Sequence, residues 1–168
     1  MRKNKKRNHQ KHPVPNHKYK DRLFRLVFNN KRDLLDLYNA LNNTCYENPN
    51  DLEVNTLEDA VYLSMKNDIS FLIGGTLNLY EHQSTYNPNM PLRGLIYLAR
   101  LYDGYVETKN INLYSSSLKK LPIPQYFVFY NGTKEQPDET ILQLTDAFES
   151  VSDNRQPCLQ CTAVMVNF

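Results

Sequence analysis

Hydrophobic positions follow a helical period in some segments of the chain and a strand period in others. Apolar residues at helical spacing predict three helices, which begin near residues 21, 33 and 91. Runs rich in β-branched and aromatic residues predict strands at 60–64, 68–73, 76–83, 125–130 and 162–168. Residues 140–149 are ambiguous and favour a helix. This order of elements predicts one α/β domain that contains an antiparallel hairpin.

Two of these elements carry further expectations about packing. The helix from Pro91 to Val106 should bury one apolar face, made of Leu92, Leu95, Ile96, Ala99, Tyr102 and Val106. The run at 162–168 is apolar at most positions, as buried central strands are. We expect it to pair beside 125–130; the alternative is an exposed edge through which the protein associates or aggregates.

The hairpin brings two acids together. A tight turn centred on Gly74-Gly75 opposes residues whose numbers sum to 149, so Asp68 faces Glu81. Directly opposed residues point to one face of a sheet, with Cβ atoms about 4.5–5.5 Å apart. Side chains alternate along a strand, so Gln83 shares the face of Glu81. The pattern therefore predicts two carboxylates and one amide on a single face.

Like charges that oppose each other destabilise a sheet unless something offsets the repulsion. Protonation of one acid would do so, and so would a bound cation. Mg²⁺ suits one or two carboxylates with water and phosphate oxygens, and can activate water for phosphodiester cleavage. Gln83 cannot act as a base, but its amide can orient water or a phosphate. The alternative is that both acids are solvated at a sheet end, and spacing alone leaves this open.

Basic residues are concentrated at the N-terminus. Residues 1–32 hold 12 of the 20 Lys and Arg and one acid, whereas the remainder holds 8 basic and 17 acidic residues. We expect residues 1–18 to form a disordered basic arm, in which Lys3, Lys5, Lys6 and Arg7 contact nucleic acid. A solubilising tail is the alternative, and composition does not choose between them.

Several strings, taken together, resemble the recombination-promoting nuclease and putative transposase family of the PD-(D/E)XK superfamily. They are YKDRLFR at 19–25, NDISFLI at 67–73, LYEHQS at 79–84, PLRGLIYLARLY at 91–102 and VFYNG at 128–132. The resemblance implies an α/β, restriction-endonuclease-like core over residues 19–168: a helix, a three-stranded antiparallel meander, a crossing helix and a further strand, in a mixed sheet flanked by helices. Family members are generally longer, so we expect this copy to be truncated at its C-terminus.

The resemblance also implies roles for individual residues. Asp68 and Glu81 match the metal ligands of the second and third strands, for Mg²⁺ or Mn²⁺. Gln83 stands where the superfamily usually has lysine, although members of this family often carry glutamine there. In the predicted register Lys66 faces Gln83 and could supply the missing positive charge; the alternative is that Lys66 is solvated in a turn.

Other candidate residues have two interpretations each. Arg93 and Arg100 are seven residues apart on one side of the crossing helix, where they could contact DNA phosphates or be solvated or paired with acids. Cys158 and Cys161 have the spacing of half a zinc site, yet four ligands are needed, so we interpret them as incidental thiols. Alternation turns His82 away from Glu81, which favours a structural role.

Three functions are consistent with these observations. The first is a metal-dependent DNA endonuclease linked to recombination or mobile elements. The second is a catalytically inactive, nucleic-acid-binding remnant of such a nuclease, and the third is a protein-interaction domain. With no apolar run of about 20 residues, no export signal and three cysteines, we expect a cytoplasmic protein without a membrane contact. No organic cofactor is expected, and self-association is left open.

Overall fold

A computed structural model describes residues 30–55, 68–149 and 156–167. These residues form two α-helices and a six-stranded sheet. In chain order the elements are α1 (Lys31–Asn42), β1 (Glu53–Val54), β2 (Ile69–Ile73), β3 (Thr76–Gln83), α2 (Met90–Thr108), β4 (Ile123–Tyr130), β5 (Glu139–Gln143) and β6 (Thr162–Asn167). The expected basic arm, the first predicted helix and the run at 60–64 lie outside the described residues.

Local polar residues set the ends of α1. Asn30 is the N-cap, and its side chain accepts a hydrogen bond from the backbone N–H of Arg32 at 2.9 Å. Asn43 ends the helix in the left-handed region, with φ of 52°. The predicted helix is confirmed, and it begins two residues earlier than the expected start at residue 33.

The hairpin register is confirmed. Gly74 and Gly75 have φ values of 56° and 83°, the backbone conformation that a tight hairpin turn requires and that glycine adopts without strain. β2 and β3 pair antiparallel from Ile73 opposite Thr76 to Ile69 opposite Tyr80. Every pair sums to 149, as predicted; the ladder ends at Ile69 opposite Tyr80, and Asp68 and Glu81 are the next residue on each side.

The sheet is mixed, with strand order β1-β2-β3-β4-β6-β5. β1, β2 and β3 form an antiparallel meander. α2 then returns the chain so that β4 can pair parallel to β3, as a parallel connection requires. β6 pairs parallel to β4 and antiparallel to β5, so it is internal to the sheet. For residues 162–167 the prediction of a strand beside 125–130 is confirmed, against the alternative of an exposed edge, while residue 168 lies outside the described residues.

Each face of the sheet is covered by a different helix. Odd-numbered residues of β3 lie under α2, in a cluster that includes Leu77, Leu79, Tyr97 and Met165. Even-numbered residues lie on the opposite face, where Tyr80 packs with residues of α1, β2 and β4. Aromatic rings meet edge to face around Tyr80, which strengthens this second cluster. The α/β prediction is therefore correct, with helices on both faces.

Two predictions about elements were wrong in detail, and one strand was missed. α2 buries the expected face only in part: Leu95 and Tyr102 pack against the core, but Leu92 is 46% exposed and Ala99 is exposed. The buried residues of α2 are Met90, Pro91, Gly94, Tyr97, Leu98 and Leu101. The sheet presents the Tyr126 ring at this position, and Gly94 is the helix residue small enough to receive it. Residues 140–149 form β5 and a 3₁₀ turn, Leu144–Ala147, since pairing with β6 outweighs local propensity. The short strand β1 was not predicted.

Candidate functional site

Asp68 and Glu81 are joined by reciprocal hydrogen bonds at the end of the hairpin. The backbone N–H of Asp68 donates to Glu81 Oε1 at 2.9 Å. The backbone N–H of His82 donates to Asp68 Oδ2 at 2.8 Å. Each carboxylate thus accepts a hydrogen bond from a backbone N–H of the segment that carries the other carboxylate. Hydrogen bonds to ionised oxygens are among the stronger ones in proteins, so they offset part of the repulsion between the two acids.

Glu81 is buried on the face of the sheet that α2 covers. It is 1% exposed, and Arg93 Nη2 donates to its Oε2 at 3.1 Å. The same Arg93 nitrogen donates to the hydroxyl of Tyr97 at 3.3 Å, and the guanidinium carbon lies 5.9 Å from the Tyr97 ring centroid. Arg93 is therefore held between an acid of β3 and an aromatic residue one helical turn further along α2.

The surroundings of Arg93 stabilise the protonated form of its guanidinium group. Burial by itself would lower its pKa, but the hydrogen bond to Tyr97 and the charge of Glu81 outweigh burial and raise it. Burial also raises the pKa of Tyr126, and the Glu81 charge adds to this effect. Tyr126 is consequently a neutral phenol, and Arg93 is the cation that stands beside Glu81.

Helix α2 positions Arg93 because of where its first turns lie. β3 ends at Gln83, and α2 begins seven residues later at Met90, so its N-terminal turns lie over the end of the strand that carries Glu81. Gly94 permits this approach, since a Cβ at that position would overlap the ring of Tyr126. Gly94 thus lets α2 pack closely on β4 at the residue next to Arg93.

The other predicted site residues have different surroundings. Gln83 is half-buried, two residues beyond Glu81, and its backbone carbonyl accepts from the N–H of Asn131 at 3.2 Å. Lys66, and the arm residues Lys3, Lys5, Lys6 and Arg7, lie outside the described residues. Their predicted roles stay predictions.

Arg100 is separate from the two acids. It lines a cleft against β1 and β2, with its Nη1 atom buried. For Arg93 the acid-paired alternative is the one that the structure contains. The role of both arginines in DNA binding stays a prediction.

The remaining candidates are His82 and the two cysteines Cys158 and Cys161. His82 is buried on the face opposite to Glu81, beside Tyr80 in the alternation of β3. Cys158 is exposed, and burial raises the pKa of the Cys161 thiol. Within the described ranges, no group of three or more His, Cys, Asp or Glu side chains is arranged to hold a metal ion.

Sequence reasoning did not find the partnership of Glu81 with Arg93 and Tyr97. One signal was present, because an arginine and a tyrosine four residues apart share one side of a helix. No local sequence pattern shows which acid such a pair will contact in the folded chain. That partner is set by the direction in which α2 crosses the sheet.

Comparison of the chain with protein-family models, with curated proteins and with solved structures finds no match. Among the residues that the structure describes, neither helix combines the length and the apolar character that a bilayer span requires.

Proposed function

We propose that this protein is a metal-dependent DNA endonuclease that hydrolyses phosphodiester bonds in recombination or in the movement of mobile elements, in a cytoplasmic setting. The observation that carries the proposal is the reciprocal hydrogen-bonded unit of Asp68 and Glu81 at the end of the hairpin. The element order supports it, because a helix, an antiparallel meander, a crossing helix and a further strand are what the resemblance implies.

The two carboxylates suit a hard divalent cation. Carboxylate oxygens are ligands that Mg²⁺ prefers, and the hydrogen bonds between the two segments bring the carboxylates of Asp68 and Glu81 to the same end of the hairpin. Asp68 is partly exposed, whereas Glu81 is buried. Asp68 and Glu81 would hold Mg²⁺ or Mn²⁺ together with water and a phosphate oxygen. When bound, such an ion activates water and stabilises charge on the phosphate.

Other residues of the chain would position the substrate. Arg93 keeps a fixed positive charge beside Glu81, and it can take the place of the lysine that the superfamily usually has two residues further along the strand. The Gln83 amide would orient water or the scissile phosphate. The basic arm would add DNA affinity that does not depend on sequence.

A second candidate function has its own supporting observation. Both oxygens of Glu81 already accept protein hydrogen bonds, one of them from a cation. A carboxylate satisfied in this way has less to gain from a metal ion. The protein would then be an inactive DNA-binding remnant of a nuclease, in which the pair with Arg93 has a structural role.

Plasmid nicking separates these functions. Supercoiled plasmid would be incubated with the full chain and Mg²⁺, with Mn²⁺ and with EDTA, and binding would be followed in parallel by gel shift. The key variant is Asp68→Asn, which keeps the shape of the side chain and removes its charge. Asp103→Asn is the matched control, because Asp103 is exposed on α2 and belongs to no part of the site.

We expect nicking that requires the divalent ion, is lost in Asp68→Asn and is kept in Asp103→Asn. DNA binding without nicking under every condition would refute the nuclease and support the remnant. Absence of both nicking and binding would refute both DNA-directed functions. Circular dichroism of each variant shows whether a loss of nicking reflects unfolding.

A further inference from the structure

A cleft that the proposed nuclease site does not use lies between the β1–β2 edge of the sheet and the C-terminal half of α2. Its volume is about 160 Å³. Its lining includes Asn55, Leu72, Arg100, Gly104, Tyr105 and Lys109. The cleft therefore has an apolar floor, an aromatic wall and polar groups of both signs.

Two buried polar atoms of the cleft have unused hydrogen-bonding capacity. Arg100 Nη1 is a buried donor on a charged group, and the described part of the chain supplies it with no acceptor. Asn55 Oδ1 is a buried acceptor for which the same residues supply no donor. Buried polar atoms are nearly always paired, and an unpaired donor on a charged group is the costlier case. A ligand with an anionic acceptor and an N–H or O–H donor would satisfy both.

Gly104 provides independent support, because nothing in the packing of α2 requires a glycine there. A Cβ at Gly104 would meet no heavy atom within 4 Å, whereas one at Gly94 would overlap Tyr126. Glycine weakens a helix interior, so a glycine without a packing reason suggests a need for space. Here the space it leaves is part of the cleft.

The cleft continues towards the hairpin turn. A second cavity of about 250 Å³ shares Glu53, Leu72, Tyr105 and Lys109 with the first, and extends to Gly74 and Gly75. The Lys109 ammonium lies 4.0 Å from a carboxylate oxygen of Glu53 and 6.0 Å from the ring centroid of Tyr105. Because they share these residues, the two cavities are treated as one trough, larger than a single inorganic anion would fill.

We propose that this trough binds a nucleotide. Its phosphate accepts from Arg100, because a guanidinium matches phosphate oxygens in geometry and charge. A sugar or base O–H or N–H donates to Asn55, and the base packs against Tyr105 and Leu72. The phosphate belongs either to a free mononucleotide or to the 5′-phosphorylated end of a DNA strand. The inference stands on the cleft alone and does not require nuclease activity.

Calorimetric titration of the full chain tests the proposal. The probes are deoxyadenosine monophosphate, inorganic phosphate, and a short single strand of DNA with a 5′-phosphate or a 5′-hydroxyl. Arg100→Gln removes the charged donor, and Gly104→Leu fills the space. Arg32→Gln is the matched control, since Arg32 is exposed on α1, away from the cleft. Thermal melts of each variant report its stability.

We expect binding of the mononucleotide, weakened about tenfold or more by Arg100→Gln and abolished by Gly104→Leu, with Arg32→Gln unchanged. Binding of the phosphorylated strand but not of the mononucleotide, with the same response to the variants, supports the proposal and identifies a DNA end as the source. No binding of either probe at millimolar concentration overturns it. Inorganic phosphate bound as tightly as the mononucleotide, or binding unchanged in both cleft variants, also overturns it. If Gly104→Leu does not fold, Arg100→Gln decides alone.

Discussion

Replacing Arg93 with methionine removes the cation beside the buried carboxylate of Glu81 and keeps a flexible side chain of similar length. Glu81 is 1% exposed and would then keep its charge in the apolar layer under α2 without that partner. A buried charge whose partner is removed is strongly destabilising, because the cost of leaving water is no longer offset. We therefore expect Arg93→Met to lower the free energy of unfolding.

The geometry sets the size of the effect. At the 3.1 Å separation of Arg93 Nη2 and Glu81 Oε2, the attraction is about 5 kcal/mol at an effective dielectric constant of about 20. Desolvation of the ions offsets much of this attraction in the intact pair. The Arg93 side chain is 31% exposed, so we expect a loss of about 3 kcal/mol, at the lower end for buried pairs. For a domain of this size the melting temperature would fall by about 10 °C.

Urea denaturation and thermal melts at neutral pH measure this loss. The matched control is Arg32→Met, because Arg32 pairs with Asp36 at 3.6 Å while both side chains are more than half exposed. That pair should contribute less than about 0.5 kcal/mol. Adding Glu81→Gln to Arg93→Met should restore part of the loss, since no charge is left buried. If Arg93→Met unfolds at the same urea concentration as Arg32→Met, Arg93 does not stabilise the buried carboxylate of Glu81, and the reasoning is wrong.

Three further predictions concern packing and the arm. Gly94→Ala should lower stability by about 1–3 kcal/mol because its Cβ meets Tyr126. Gly104→Ala in the same helix should raise stability by up to about 1 kcal/mol, because its Cβ meets nothing. Melting temperatures of the two variants that shift in the same direction would contradict this. Met165→Ala should lower stability by about 2–5 kcal/mol, because Met165 is 1% exposed on the internal strand β6; an unchanged melt would mean that β6 is dispensable. Removing residues 1–18 should weaken DNA binding and reduce its salt dependence, and an unchanged salt slope in gel-shift titrations would show that the arm has no role.

Local sequence was sufficient for the hairpin and for the approach of its two acids. The Gly74-Gly75 turn allows one register, and that register determines which residues of β2 and β3 face each other. The neighbourhood of Asp68 and Glu81 follows from counting along the chain. Local sequence was also sufficient for α1, because Asn30 and Asn43 mark its ends with their own side-chain and backbone preferences.

Local sequence was not sufficient where a partner comes from a distant part of the chain. Residues 139–143 form a strand because β6 lies beside them, and β6 is about twenty residues away along the chain. The buried face of α2 was predicted wrongly, since apolar spacing cannot show that Tyr126 will occupy the place opposite Gly94. Short β1 lacks an apolar pattern and exists through its pairing with β2.

By itself the sequence determined the types of most elements, the hairpin register and the meeting of Asp68 with Glu81, because periodicity, turn residues and capping act over a few neighbouring positions. The tertiary structure alone decided that Arg93 neutralises Glu81 and that Arg100 lies in a cleft beside Asn55. These arrangements depend on how α2 crosses the sheet. That crossing is set by the packing of side chains from β2, β3, β4 and β6 at once, and no local pattern contains it.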